Sequence, residues 1–181
     1  MKVAVIGAPG SGKTTLSTGI FYNLKLLGKN VEIVPELIKY KVYKGESFSQ
    51  DGFDVTNTIE QKNFETIFDH AQKQGQLSYV ICEAPLCNGF FYSSFYKKKL
   101  EESILRKIAV DSINSYDVIL FVEMLDEAQF VEFGRKENRE RARALEIHIK
   151  DEFSRLGYKN KLQFVNQRTG MEEILKIIGV L

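Results

Sequence analysis

Met1-Lys2-Val3-Ala4-Val5-Ile6-Gly7-Ala8-Pro9-Gly10-Ser11-Gly12-Lys13-Thr14-Thr15 opens the chain and decides its fold. Residues 3–6 are an uninterrupted apolar run, the pattern of a strand buried on both faces of a parallel sheet. The run passes directly into Gly7-Ala8-Pro9-Gly10-Ser11-Gly12-Lys13-Thr14, a full match to G-x-x-x-x-G-K-[ST], and a helical apolar pattern follows at once. Glycines at these places let successive backbone N–H groups turn toward phosphate oxygens where a Cβ would obstruct them. The following helix aims its positive dipole end at the same phosphates. Gly7, Ala8, Pro9, Gly10, Ser11, Gly12, Lys13, Thr14 and Thr15 are therefore expected to hold ATP. Lys13 would reach the β- and γ-phosphates, and the Thr14 hydroxyl would hold Mg²⁺.

Working outward, Leu16, Ile20, Leu24 and Leu27 continue at helical spacing until Gly28. Short apolar strands are expected at residues 31–34, 79–82, 117–122 and 162–165, each separated from the next by helical segments. Residues 56–73 read as a helix with Ile59, Phe64, Ile67, Phe68 and Ala71 inward. Residues 137–156 read as a long helix with Ala142, Leu145, Ile149 and Phe153 inward, and Met171, Ile174, Leu175 and Ile178 as a closing one. Strands alternating with helices imply an α/β three-layer fold: a five-stranded parallel sheet, expected order 2-3-1-4-5, with helices on both faces. The 181 residues fit one domain, with a small arginine-bearing lid at about 125–143.

In such sheets ligands sit beyond the carboxyl ends of the strands, which singles out the residues just after each one. Glu36 follows the second strand, where a carboxylate can take the proton of an attacking hydroxyl or hold that hydroxyl in line. Glu83 follows the third, in the place of the acid that holds Mg²⁺ directly or through water. Glu123, after the fourth, reads as a surface residue. Phe133-Gly134-Arg135-Lys136-Glu137-Asn138-Arg139-Glu140-Arg141-Ala142-Arg143 is rich in arginine. Arg135 and Arg139 are four residues apart and are expected on one helix edge, closing over the triphosphate, with Gly134 as hinge. The same stretch also reads as a solvated helix face. Phe91 and Tyr92, in the aromatic segment 90–96, are expected at the acceptor pocket, with core packing as the alternative for each ring.

Composition limits the partners. The net charge of +1 disfavours a general nucleic-acid binder, and no apolar stretch is long enough to span a bilayer. The first apolar run ends in the phosphate loop, which disfavours a cleaved leader. Cys82 and Cys87 have neither disulfide-framework nor metal-site spacing and fit a reducing cytoplasm.

GAPGSGKTTL, VEIVPELIKY, YVICEAPL and the arginine-rich segment together resemble the P-loop kinase group, within it the ribosylnicotinamide-kinase-like and thymidylate-kinase-like AAA proteins, many encoded by bacteriophages. In the family's V-x-E-Y-[AG]-R-E-Y, Glu36 matches, Lys39 holds the arginine position and Tyr40 stands one place before the last Tyr. Its Asp-[SR]-x-L appears as Glu83-Ala84-Pro85-Leu86, and its D-G-x-R lid element lacks the Asp before Gly134-Arg135. The resemblance implies an ATP- and Mg²⁺-dependent phosphotransferase acting on a small nucleoside or nucleoside monophosphate, as monomer or homodimer. It places Lys13, Glu36, Arg135 and Arg139 in catalysis, Glu36, Tyr40, Phe91 and Tyr92 at the acceptor, and Thr14 and Glu83 at the metal. A kinase acting on DNA, motivated by Lys97-Lys98-Lys99, and a nucleotide-dependent switch are the competing readings.

Overall fold

The computed structural model describes residues 1–46, 52–98, 102–126 and 137–181. Five strands, β1 (Lys2–Ile6), β2 (Val31–Val34), β3 (Tyr79–Cys82), β4 (Val118–Val122) and β5 (Leu162–Val165), form one sheet in the order β2-β3-β1-β4-β5. Every pairing is parallel. Among the described residues seven α-helices surround it: α1 (Lys13–Leu26), α2 (Leu37–Tyr43), α3 (Phe53–Lys73), α4 (Cys87–Phe95), α5 (Glu102–Ser115), α6 (Arg139–Arg155) and α7 (Met171–Ile177).

The sheet is covered on both sides, and its strands are mostly apolar rather than alternating, with Glu32 and Gln163 on the two edge strands as exceptions. Ala4 and Ile6 of β1 face one core with Cys82, Ile119 and Phe121, closed by α4, α5 and α6. Val3 and Val5 face the other with Ile81, Leu120 and Val122, closed by Ile20 and Leu24 of α1 and Ile174 and Leu175 of α7. The strands thus bring the loop after β1, Glu36 after β2 and Glu83 after β3 to one end of the sheet. Cys82 and Cys87 are both free and buried, and burial holds both thiols protonated.

The inward face of α3 departs from its apolar pattern. Ile59 and Ile67 are exposed, Phe64 and Phe68 are partly buried, and the buried positions are Thr58, Gln61 and Glu65. This helix packs a polar stripe inward because it borders a crevice and receives a buried cation. The Lys2 ammonium lies 2.8 Å from Glu65 and 2.8 Å from Asp69, and the Tyr116 hydroxyl donates to Glu65 at 3.1 Å while accepting from the Leu86 N–H at 3.0 Å. Burial raises the Glu65 pKa, with Lys2 pulling the other way. Burial also opposes the Lys2 charge, but Glu65 and Asp69 outweigh it and the lysine pKa rises.

Lys2→Met keeps the volume but strands a buried carboxylate, so a loss of about 3–5 kcal/mol in urea unfolding at pH 7 is expected. The sign with pH follows from Glu65: a carboxyl whose folded pKa lies above its unfolded one gains stability as pH falls through the folded value. The loss in Lys2→Met should therefore shrink at pH 5; an equal loss at both pH values would assign it to packing instead.

Candidate active site

The loop between β1 and α1 is shaped by its own sequence. Gly12 caps α1 at φ 101°, a left-handed conformation, and a Cβ there would stand 2.9 Å from the Gln167 side chain. No side chain caps α1 and its first turn carries no acid, so its N-terminal N–H groups are left for an anion. The Lys13 ammonium folds back onto the loop, donating to the carbonyls of Gly7 at 2.9 Å and Ala8 at 2.8 Å. Ala8 and Ser11 are fully buried beneath it, and Ala8 packs with Met124 and Ala142.

A cavity of about 580 Å³ begins at this loop. Pro9, Gly10, Gly12, Lys13, Thr14 and Thr15 form one end, Glu36 and Lys39 the middle, and residues of α3 and α4, among them Asn57, Asn88 and Tyr92, the far end. Its size is that of a small-ligand site. Glu36 is the N-terminal flanking residue of α2, in extended conformation, so its side chain leaves the helix at the mouth of the crevice. Tyr92 also lines it; burial, then the charges of Glu36 and Glu137, hold its phenol pKa well above the usual range. Tyr96 donates to Glu137 at 2.5 Å and carries the Arg141 guanidinium 4.9 Å above its ring.

Beside the loop, three oxygens from three elements converge on one cation. The Lys39 ammonium donates to the Thr14 hydroxyl at 2.8 Å and lies 3.5 Å from Glu36 and 3.9 Å from Glu83. Thr14 and Glu83 are the residues expected at Mg²⁺, and both contact this stand-in cation. The donor set, a hydroxyl and carboxylate oxygens, is the hard type that Mg²⁺ takes, so the residues fit the metal.

Other expected residues lie elsewhere. Phe91 is fully buried, its ring 5.0 Å from that of Phe153 and 5.7 Å from Phe90. It belongs to the core and not to the crevice, because α4 turns Phe90 and Phe91 inward and leaves Tyr92 at the crevice. Tyr40 is 54% exposed and does not line the cavity. Helix α6 starts at Arg139, with Asn138 in extended conformation accepting from the Arg141 N–H, so the expected helix edge shared with Arg135 is absent from α6. Arg135 lies outside the described residues, as does Lys99. Arg139 donates to the carbonyls of Leu125, at 3.4 Å, and Asp126, and Arg143 donates to that of Met124 at 2.7 Å. These two arginines brace the segment after β4; neither lines the crevice.

Sequence reasoning missed Asn57, Asn88 and Glu137 as crevice residues. Glu137 had one signal, its place immediately before the cap of α6; the asparagines had none. They meet because Gly89 lets α4 approach α3 closely: a Cβ at Gly89 would stand 2.0 Å from the Thr58 hydroxyl. The side-chain carbonyl oxygens of Asn57 and Asn88 are buried and have no hydrogen-bond partner among the described residues.

The phosphate loop, the strand order and the crevice define a P-loop nucleoside-kinase-like fold. The chain belongs to the AAA domain family, whose model matches residues 2–173. No curated protein matches. Among solved structures, the NadR protein in complex with NR superposes with a TM-score of 0.71 at 15% identity, over 99% of this chain and 51% of that one. The chain thus spans about half the length of NadR. Deoxyadenosine kinase from M. mycoides, with products dCMP and dCDP, superposes with a TM-score of 0.58 at 15% identity, over 98% and 96% of the two chains. The same enzyme with bound dATP gives 0.56 at 13% identity. Among the described residues no helix is long and apolar enough to cross a membrane.

Proposed function

We propose that this protein transfers the γ-phosphoryl group of ATP to a hydroxyl of a small nucleoside. The observation that carries the reading is the continuity of one cavity from the phosphate loop, past Glu36, to a chamber between α3 and α4. Donor and acceptor then share a single crevice, and binding alone converts a two-body encounter into an oriented one. The acceptor hydroxyl oxygen forms a bond to the γ-phosphorus as the bridging P–O bond to the β-phosphate breaks. ADP departs, and the hydroxyl proton passes to Glu36. Lys13 and the uncapped N–H groups of α1 hold the negative charge on the transferring group and the leaving phosphate. Mg²⁺, held by Thr14 and Glu83, would supply further neutralisation of the β- and γ-oxygens.

Charge in the chamber favours a nucleoside over a nucleoside monophosphate. Glu36 and Glu137 line it, and the Lys98 ammonium is 2.8 Å from Asp54, so a second phosphate would meet carboxylates and a cation already paired. Asn57 and Asn88 line the far end of the chamber, where a side-chain amide offers a nucleobase both a donor and an acceptor. Losing a hydrogen bond to one of these amides costs about 1–3 kcal/mol, so Asn57→Leu or Asn88→Leu should lower nucleoside kcat/KM about 10- to 100-fold. The test is steady-state phosphorylation with Mg-ATP of cytidine, adenosine and nicotinamide riboside against uridine, thymidine, inosine and the matching monophosphates. Phosphorylation of a nucleoside in preference to its matching monophosphate is expected. Exclusive use of monophosphates would overturn the acceptor assignment, and no phosphorylated acceptor would overturn the function.

A further inference from the structure

The position of Lys39 goes beyond the transfer reaction. Its ammonium sits among the Thr14 hydroxyl of α1, the Glu36 carboxylate before α2 and the Glu83 carboxylate after β3, at 2.8, 3.5 and 3.9 Å. Glu83 and Glu36 have side chains only 10% and 19% exposed, so two anions would face each other in a half-closed crevice if this cation were missing. The ammonium hydrogen-bonds Thr14 and is ion-paired with both carboxylates. Lys39 itself is 38% exposed and rides on the rim at α2, and its four-carbon stem gives the charge reach without movement of the helix.

We propose that Lys39 is a tethered counter-cation that fills the metal seat before nucleotide arrives and yields it to Mg²⁺ when the nucleotide binds. The exclusion is geometric. Mg²⁺ binds oxygens at about 2.0–2.1 Å in near-octahedral order, so it cannot share the Thr14 hydroxyl with an ammonium donating to the same oxygen. Three consequences follow from the exchange. Free divalent cation binds the nucleotide-free protein weakly, because it must displace a paired lysine. Nucleotide can dock without metal, since Lys39 supplies positive charge beside the β- and γ-phosphates. Glu36 stays ion-paired until the metal-bearing nucleotide displaces its partner, so the base is released only when there is a phosphoryl group to transfer.

The inference rests on nucleotide binding at the phosphate loop, and its test separates the two. Mn²⁺ binding to the nucleotide-free protein is measured by electron paramagnetic resonance, and ATP binding by calorimetry in EDTA and again in Mg²⁺. In Lys39→Met, and independently in Lys39→Gln, Mn²⁺ affinity should rise at least about tenfold and ATP affinity in EDTA should fall at least about tenfold, with Mg-ATP affinity changed less than about threefold. Lys39→Arg should restore ATP binding in EDTA, since it keeps the charge. Superimposable thermal melts establish that the variants fold. If the neutral variants leave both Mn²⁺ affinity and metal-free ATP affinity unchanged while the parent protein binds Mg-ATP, the counter-cation role is overturned and the nucleotide site stands. If the parent protein binds no Mg-ATP at all, the nucleotide reading fails instead.

Discussion

Lys13→Ala is expected to lower phosphoryl transfer by about 10²- to 10³-fold in kcat. The residue sits in the first turn of α1, at the loop end of the crevice, and no other lysine or arginine within the described phosphate loop can take its place. Its ammonium already makes charge-assisted bonds to the Gly7 and Ala8 carbonyls, so it is held over the loop and needs little reorganisation to meet a phosphate. That brace is also the complication, because alanine removes it together with the charge. The loop should nevertheless keep its path: Ala8 stays packed against Met124 and Ala142, and Gln167 still donates to the Ser11 carbonyl at 3.3 Å. Thermal melting of the variant close to that of the parent, with kcat lost, would assign the defect to charge stabilisation. Lys13→Met, which keeps the stem and loses the charge, should behave in the same way.

Glu36→Gln is expected to lower kcat by about 10²-fold or more while Mg-ATP affinity changes little. Glutamine keeps the shape and one acceptor oxygen, so contact with Lys39 survives, but it cannot take a proton. A fall in kcat with the nucleotide Kd preserved marks a loss confined to the transition state. The side chain stands at the mouth of the crevice between the phosphate loop and Tyr92, where an acceptor hydroxyl would have to pass. Turnover in Glu36→Gln like that of the parent would remove Glu36 from proton transfer and leave it only as Lys39's partner.

The loop between β1 and α1 was legible in the sequence because a contiguous motif encodes it. Residues 7–14 need nothing distant to make a phosphate cradle, and the apolar runs at 31–34, 79–82 and 162–165 became strands with those bounds. The middle strand of the three is buried from Val80 to Cys82, and the edge strands are buried at Val31, Val34, Leu162 and Val165, so each short run carries an apolar signal. The far end of the crevice was not legible. Asn57 of α3, Asn88 of α4 and Glu137 before α6 share no spacing, and the two asparagines come together where Gly89 lets α4 approach α3. Apolar periodicity finds the face of a helix that meets a sheet. Helix α3 meets a crevice and a buried lysine, so its inward residues are Thr58, Gln61 and Glu65, and Ile59 and Ile67 point to solvent. Phe91 and Tyr92 are adjacent in sequence and divide between core and crevice, a split that composition cannot resolve. Arg139 shows the same limit for charge: an arginine near a phosphate site in sequence is spent on the carbonyls of residues 125 and 126.

The most direct test of the transfer itself follows the phosphorus. Protein, Mg²⁺ and γ-labelled ATP are incubated with cytidine or nicotinamide riboside, and the products are separated, with Lys13→Ala as the background. The account predicts label in a nucleoside monophosphate, formed one for one with ADP and at least about 100-fold slower with Lys13→Ala. Label released only as inorganic phosphate, at a rate indifferent to any nucleoside, would contradict it and leave a nucleotide-dependent switch.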